Sequence, residues 1–160
     1  MAKIVHDGRA GDKLALAIKG LDGSRVEVGW FPAAKYEDGP DAGTPVAYVA
    51  VIQEFGTSRI PPRPFMRTTI AEQSGSWSKI AANLSRAVLR GEQKPGDLAE
   101  AVGARVSGDV RKKISSITSP PLSEATIARR VANKSGVRSV KPLVYTGRML
   151  ATLTHMVTKK

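Results

Sequence analysis

Residues 46–66, VAYVAVIQEFGTSRIPPRPFM, decide the fold. Val46 to Phe55 is apolar nearly all round, with only Gln53 and Glu54 clearly polar. Ala47, Ala50 and Glu54 fall at helical spacing, so this run predicts a short helix. Gly56 follows at the position where a positive φ costs glycine little, and reads as its C-terminal cap. Pro61, Pro62 and Pro64 each fix φ and lack an N–H, so neither a helix nor a central strand can continue through them. A stiff, extended loop results, with Phe65 and Met66 resuming an apolar pattern. Stiff loops lose little entropy on docking, which suits a contact surface. The same residues also suit a plain connector between two helices.

Outward from this stretch, the chain alternates between helical and strand patterns. Upstream, Ala10 to Lys19 reads as a helix, and Arg25 to Phe31 as a strand with Val26, Val28 and Trp30 on one face. A polar loop spans Lys35 to Pro45. Downstream, a long amphipathic helix runs to about Arg90, with Thr68 or Thr69 as its cap and Ile70, Trp77, Ile80, Leu84 and Val88 on one face. Gly75 weakens its first half. A second long helix spans Asp97 to Ile117, with Pro95 in the turn before it and apolar residues from Leu98 through Ile114. Ser119 to Leu122 breaks it, and Ser123 caps a short helix over Glu124 to Val131. Thr152 to Val157 alternates as a final strand. The fold expected is α+β: one domain over residues 1–160, with a small antiparallel sheet packed against two long amphipathic helices and an extended Pro-rich loop. Residues 1–9 are expected to be flexible, and 132–141 to form a mobile basic loop.

The 160 residues suit one domain. With no cysteine, disulfides, Cys-based zinc sites and thiol nucleophiles are excluded. No run is long enough to cross a membrane, and the start lacks a signal-peptide core, so a soluble protein made in the cytoplasm is expected. His6 and His155 have no metal spacing between them, and no GxSxG, GxGxxG or GxxxxGK[ST] occurs. We expect no enzyme activity, no cofactor and no metal.

Charge is uneven. Residues 1–80 carry ten Lys/Arg against nine Asp/Glu, and residues 81–160 carry fifteen against five. A basic half implies an acidic neighbour, or a solvated face with no dedicated ligand. Candidate DNA-facing bases are Arg111, Lys112, Lys113, Arg129, Arg130, Lys134, Arg138 and Lys141. Few aromatics are interleaved with them, so a stacking platform is lacking.

Three motifs in order carry a resemblance. Residues 47–66, AYVAVIQEFGTSRIPPRPFM, then Pro121-Leu122-Ser123 with Thr126, Arg129 and Arg130, then residues 142–150, PLVYTGRML, resemble the signature of tail-completion, or neck, proteins of long-tailed bacteriophages. Gln53 stands where that family commonly has histidine, and Tyr145 where it has aspartate. The resemblance implies a structural virion protein of the neck or tail. It would be a ring-forming subunit, a hexamer by expectation, that completes the tail and joins it to the head-closure parts. Neighbouring neck, tail-terminator or tube proteins would be its partners, with weak contact to DNA passing through the ring. The docking loop would comprise Phe55, Gly56, Thr57, Arg59, Ile60, Pro61, Pro62, Arg63, Pro64 and Phe65. In it Phe55 and Phe65 anchor the loop in the core, the prolines stiffen it, and Arg59, Ile60 and Arg63 make contacts. In the structural turn, Thr146 would cap, Gly147 would permit close approach, and Arg148 would pair with an acid. The alternative is a nucleic-acid-binding module using the basic C-terminal half.

Overall fold

The computed structural model describes residues 8–21, 23–37, 41–132 and 139–159. Among them are six helices and a two-stranded antiparallel sheet, the expected α+β class. In order these are α1 (Gly8–Leu21), β1 (Ser24–Gly29), α2 (Val46–Phe55), α3 (Met66–Leu89), α4 (Pro95–Ser116), α5 (Glu124–Ala132), α6 (Arg148–Thr152) and β2 (Thr154–Lys159), with β1 paired to β2. No helix among the described residues is long and apolar enough to cross a membrane. The terminal segment 1–7 with His6, and the central part of the basic loop with Lys134 and Arg138, lie outside the described residues.

The chain forms two compact units. Unit one comprises residues 1–27, 75–105 and 155–160, and unit two comprises 28–74 and 106–154. In unit one, Val88 and Ala99 are buried. α1 packs closely at Gly20, where a Cβ would stand 2.6 Å from the Pro95 ring. β2 packs on α4 at Gly103, which lies beneath the His155 imidazole. His155 Nε2 sits 2.9 Å from Glu100 Oε2, a partner brought from 55 residues away.

Unit two holds the larger core, built from Val46, Ala50, Phe65, Val110, Ile114, Leu143, Met149 and Leu153. Trp30 meets Phe65 edge-on, with ring centroids 5.7 Å apart, and its indole N–H donates to the Met149 carbonyl at 2.9 Å. The buried aromatic thus keeps its polar atom satisfied. Leu143 is a buried non-glycine residue at φ 63°, an uncommon backbone state that surrounding packing must hold in place.

Several boundaries move from their expected places for local reasons. The last strand begins at Thr154 rather than Thr152. The preceding residues close the helical turn α6, and the Thr152 hydroxyl bonds back to the Arg148 carbonyl at 2.7 Å. Ile70, expected on the buried face of α3, is 48% exposed. The helix itself runs unbroken through Gly75. Thr68 and Thr69 do not cap α3. They lie inside its first turn, and their hydroxyls donate to the carbonyls of Pro64 and Phe65. Its N-terminus is capped by the Glu54 carboxylate of α2.

Candidate functional site

α2 has two opposed faces. Val46, Ala50 and Glu54, at i, i+4 and i+8, are buried. Tyr48, Val51 and Phe55, at i, i+3 and i+7, are 61%, 56% and 60% exposed. The second set forms an apolar stripe on the outer side of the helix. Phe55 was expected to anchor the loop in the core. It lies at the exposed end of this stripe instead, with the Arg67 guanidinium 4.6 Å from its ring centroid. Phe65 does anchor, at 1% exposure.

The acid on the buried face is Glu54. Its carboxylate accepts the backbone N–H of Met66 at 2.8 Å and of Arg67 at 3.0 Å, the first donors of α3, and pairs with Arg67 Nε at 3.0 Å. A helix start presents unpaired N–H groups and a partial positive charge, and this carboxylate satisfies both. Burial alone would raise the Glu54 carboxyl. The hydrogen bonds from Met66, Arg67 and Phe65 outweigh burial and hold it below its usual value. A carboxyl depressed in the fold stabilises fully above its unfolded value, and that contribution is lost as pH falls through the folded one. Glu54→Gln should therefore flatten the acid limb of a stability-against-pH curve measured by urea unfolding. It should also cost about 1–3 kcal/mol at neutral pH, where a charged acceptor is replaced by a neutral one.

Between α2 and α3 the loop is pinned at several points. Gly56 has φ 75° and donates its N–H to the Ile52 carbonyl at 2.8 Å. A Cβ there would meet the Ile60 carbonyl at 2.7 Å and the Pro62 nitrogen at 2.8 Å, both backbone atoms. Gly56→Ala should lower stability by about 2 kcal/mol or more, since the strained φ and the clash cannot both relax without moving the loop. Thermal unfolding would show it. Thr57 closes the next turn: its N–H donates to the Ile60 carbonyl, and its hydroxyl accepts the N–H groups of Arg59 and Ile60. Arg59, Pro61 and Pro62 are exposed, and Ile60 and Pro64 are half-buried.

Arg63 departs from its expected role as a surface contact. It is 3% exposed. Its Nε donates to the Pro120 carbonyl at 2.8 Å, one terminal nitrogen to the Pro121 carbonyl at 3.0 Å, and the other to Gln53 Oε1 at 3.1 Å. Its backbone N–H donates to the Gln53 carbonyl at 2.7 Å. The guanidinium fork thereby ties the proline loop to the second proline segment, 119–122, where the Ser119–Pro120 peptide is cis. Burial lowers its pKa from the ordinary arginine value. Gln53 serves here as an internal acceptor.

In the structural turn, Gly147 has φ 72° and ψ −2°, and a Cβ there would meet nothing within 4 Å. Glycine is required there by its backbone angle, and not by close approach as expected. Thr146 Oγ1 accepts the Arg148 N–H at 3.3 Å. Arg148 Nε donates to the Lys35 carbonyl at 2.9 Å, and a terminal nitrogen pairs with Glu37.

The candidate DNA-facing bases divide. Arg111 donates to the carbonyls of Leu150 and Leu153. Arg130 donates to those of Ser139 and Lys141 while stacking 4.5 Å over the Tyr145 ring. Lys141 donates to the Ser115 carbonyl, and Lys113 pairs with Glu72 at 2.7 Å. These four hold the fold together. Lys112 and Arg129 are exposed. The sequence marks the Val46–Phe55 helix as too apolar for a single buried face but does not single out Tyr48, Val51 or Glu54 within it. The stripe's i, i+3, i+7 spacing was visible, but a helix apolar nearly all round does not show which side faces solvent.

The apolar stripe ends at Phe55, where the pinned proline loop begins. Comparison with family models, with curated proteins and with solved structures finds no match.

Proposed function

We propose that this protein is a structural subunit of the neck or tail of a long-tailed bacteriophage, docking through α2 and the proline loop as part of a ring of six around the DNA path. The observation that carries this reading is the exposed stripe of Tyr48, Val51 and Phe55 beside a loop already held in one conformation by Thr57 and Arg63. Exposed apolar patches of this kind mark interaction surfaces, and a preorganised loop binds without an ordering cost. The three motifs in order supply the assembly in which such a subunit would work. The nucleic-acid reading loses support from the four bases engaged on internal carbonyls and on Glu72.

Electron microscopy of particles made with the gene disrupted tests the proposal. DNA-filled heads beside unjoined or malformed tails are the expected result. Normal infectious particles would overturn it and turn attention to duplex binding by the exposed Lys112 and Arg129.

A further inference from the structure

Unit one carries an apolar surface of its own. α1 is strongly amphipathic, yet Leu14, Leu16 and Ile18 are 46%, 69% and 54% exposed. Beside α1 runs a groove of about 500 Å³, floored by Leu14, Leu16, Leu89 and Pro95, with Lys13 and Lys94 exposed along its edge. We infer that this groove seats the α2 stripe of a second copy of the same chain. This rests on the reading of α2 as an interface, and adds its receptor.

Two features of the chain choose the occupant. The groove needs a rod bearing a row of large apolar side chains. Tyr48, Val51 and Phe55 provide one, spread over roughly 10 Å of helix at 1.5 Å per residue. The groove edge is cationic, and the loop leading into α2 carries the exposed carboxylate of Asp41. Groove against groove would instead set the lysines of two copies face to face, and like charges across an interface oppose association. A contact between two different patches is heterologous, the kind that closes rings.

The chain has no cysteine, so single introduced thiols report the contact cleanly. Leu16→Cys and Val51→Cys proteins, one carrying a size tag, would be mixed and oxidised at high concentration, with Lys79→Cys as an exposed control. The expected result is a mixed 16–51 disulfide dimer well above control. Reversing the groove charge with Lys13→Glu and Lys94→Glu should lower its yield about tenfold, and Asp41→Lys should restore it. Dimers of only like variants, or yields at the control level, would overturn the inference. If they do so while α2 variants still block particle assembly, the docking reading stands without this receptor. A mixed dimer combined with normal particles from α2 variants would instead remove the neck reading and leave the contact.

Discussion

Phe65→Ala lowers the unfolding free energy by about 4 kcal/mol, whereas Phe55→Ala lowers it by less than about 1 kcal/mol. The two residues bracket the same loop and have the same chemistry, so the contrast isolates environment. Phe65 is 1% exposed and packs in the unit-two core against Trp30. Truncation there loses the transfer energy of the ring and leaves a cavity that the Trp30–Met149 hydrogen bond keeps from collapsing. A loss of this size is a large part of the 5–15 kcal/mol that holds an ordinary domain together. Phe55 is 60% exposed, with the Arg67 guanidinium over its ring. Its removal costs the fold little, but an aromatic at the centre of an interface is worth about 2 kcal/mol or more in docking. Urea unfolding of both variants, beside their incorporation into particles, checks the pair. Equal losses of stability would show that Phe55 belongs to the core. Full incorporation of a folded Phe55→Ala protein would remove the stripe from the docking surface.

Local signals carried the helices well. α2 runs from Val46 to Phe55, the span read from its apolar run, because Pro45 and Gly56 punctuate it on either side. Ser123 caps α5 as its position implied, accepting the Thr126 N–H at 3.3 Å. What the sequence hid were side chains working across distance. Glu54, one of two polar residues on an otherwise apolar helix, is the cap of the next helix, 12 residues away. Thr68 and Thr69 drew attention as caps because capping statistics concern neighbours, while the satisfying group came from another element.

Several basic side chains also work across distance, on backbone carbonyls. A proline-rich segment offers carbonyls but few N–H groups, so side-chain donors must satisfy what the backbone cannot. Arginine, with five donors and no acceptor, is suited to that task. Arg63 serves the carbonyls of Pro120 and Pro121, Arg130 those of Ser139 and Lys141, and Arg111 the carbonyls at the end of α6. Charge counted along the chain therefore overstated what is available to an acidic ligand. Two proline clusters far apart in sequence, the first with Arg63 inside it, are the visible signal of an internal tie.

Arg63→Ala is the variant that separates an internal strut from a surface contact, and its expected cost is about 3 kcal/mol. Removing the buried guanidinium leaves the Pro120 and Pro121 carbonyls and the Gln53 amide, in a part-buried setting, without their donor, and breaking charged hydrogen bonds of a buried group costs in this range. Arg63→Lys should recover little, because an ammonium cannot present the planar fork to several acceptors and is more strongly hydrated. Arg59→Ala, on the exposed side of the same loop, should change stability by less than about 0.5 kcal/mol. Urea unfolding of the isolated protein reads all three. A strut fails in the isolated chain, and a contact fails only on assembly. Unchanged stability for Arg63→Ala together with lost incorporation would return Arg63 to the docking surface. The expected loss in isolation means the loop is braced before any partner arrives, which is the condition under which its exposed prolines and Arg59 can dock without first being ordered.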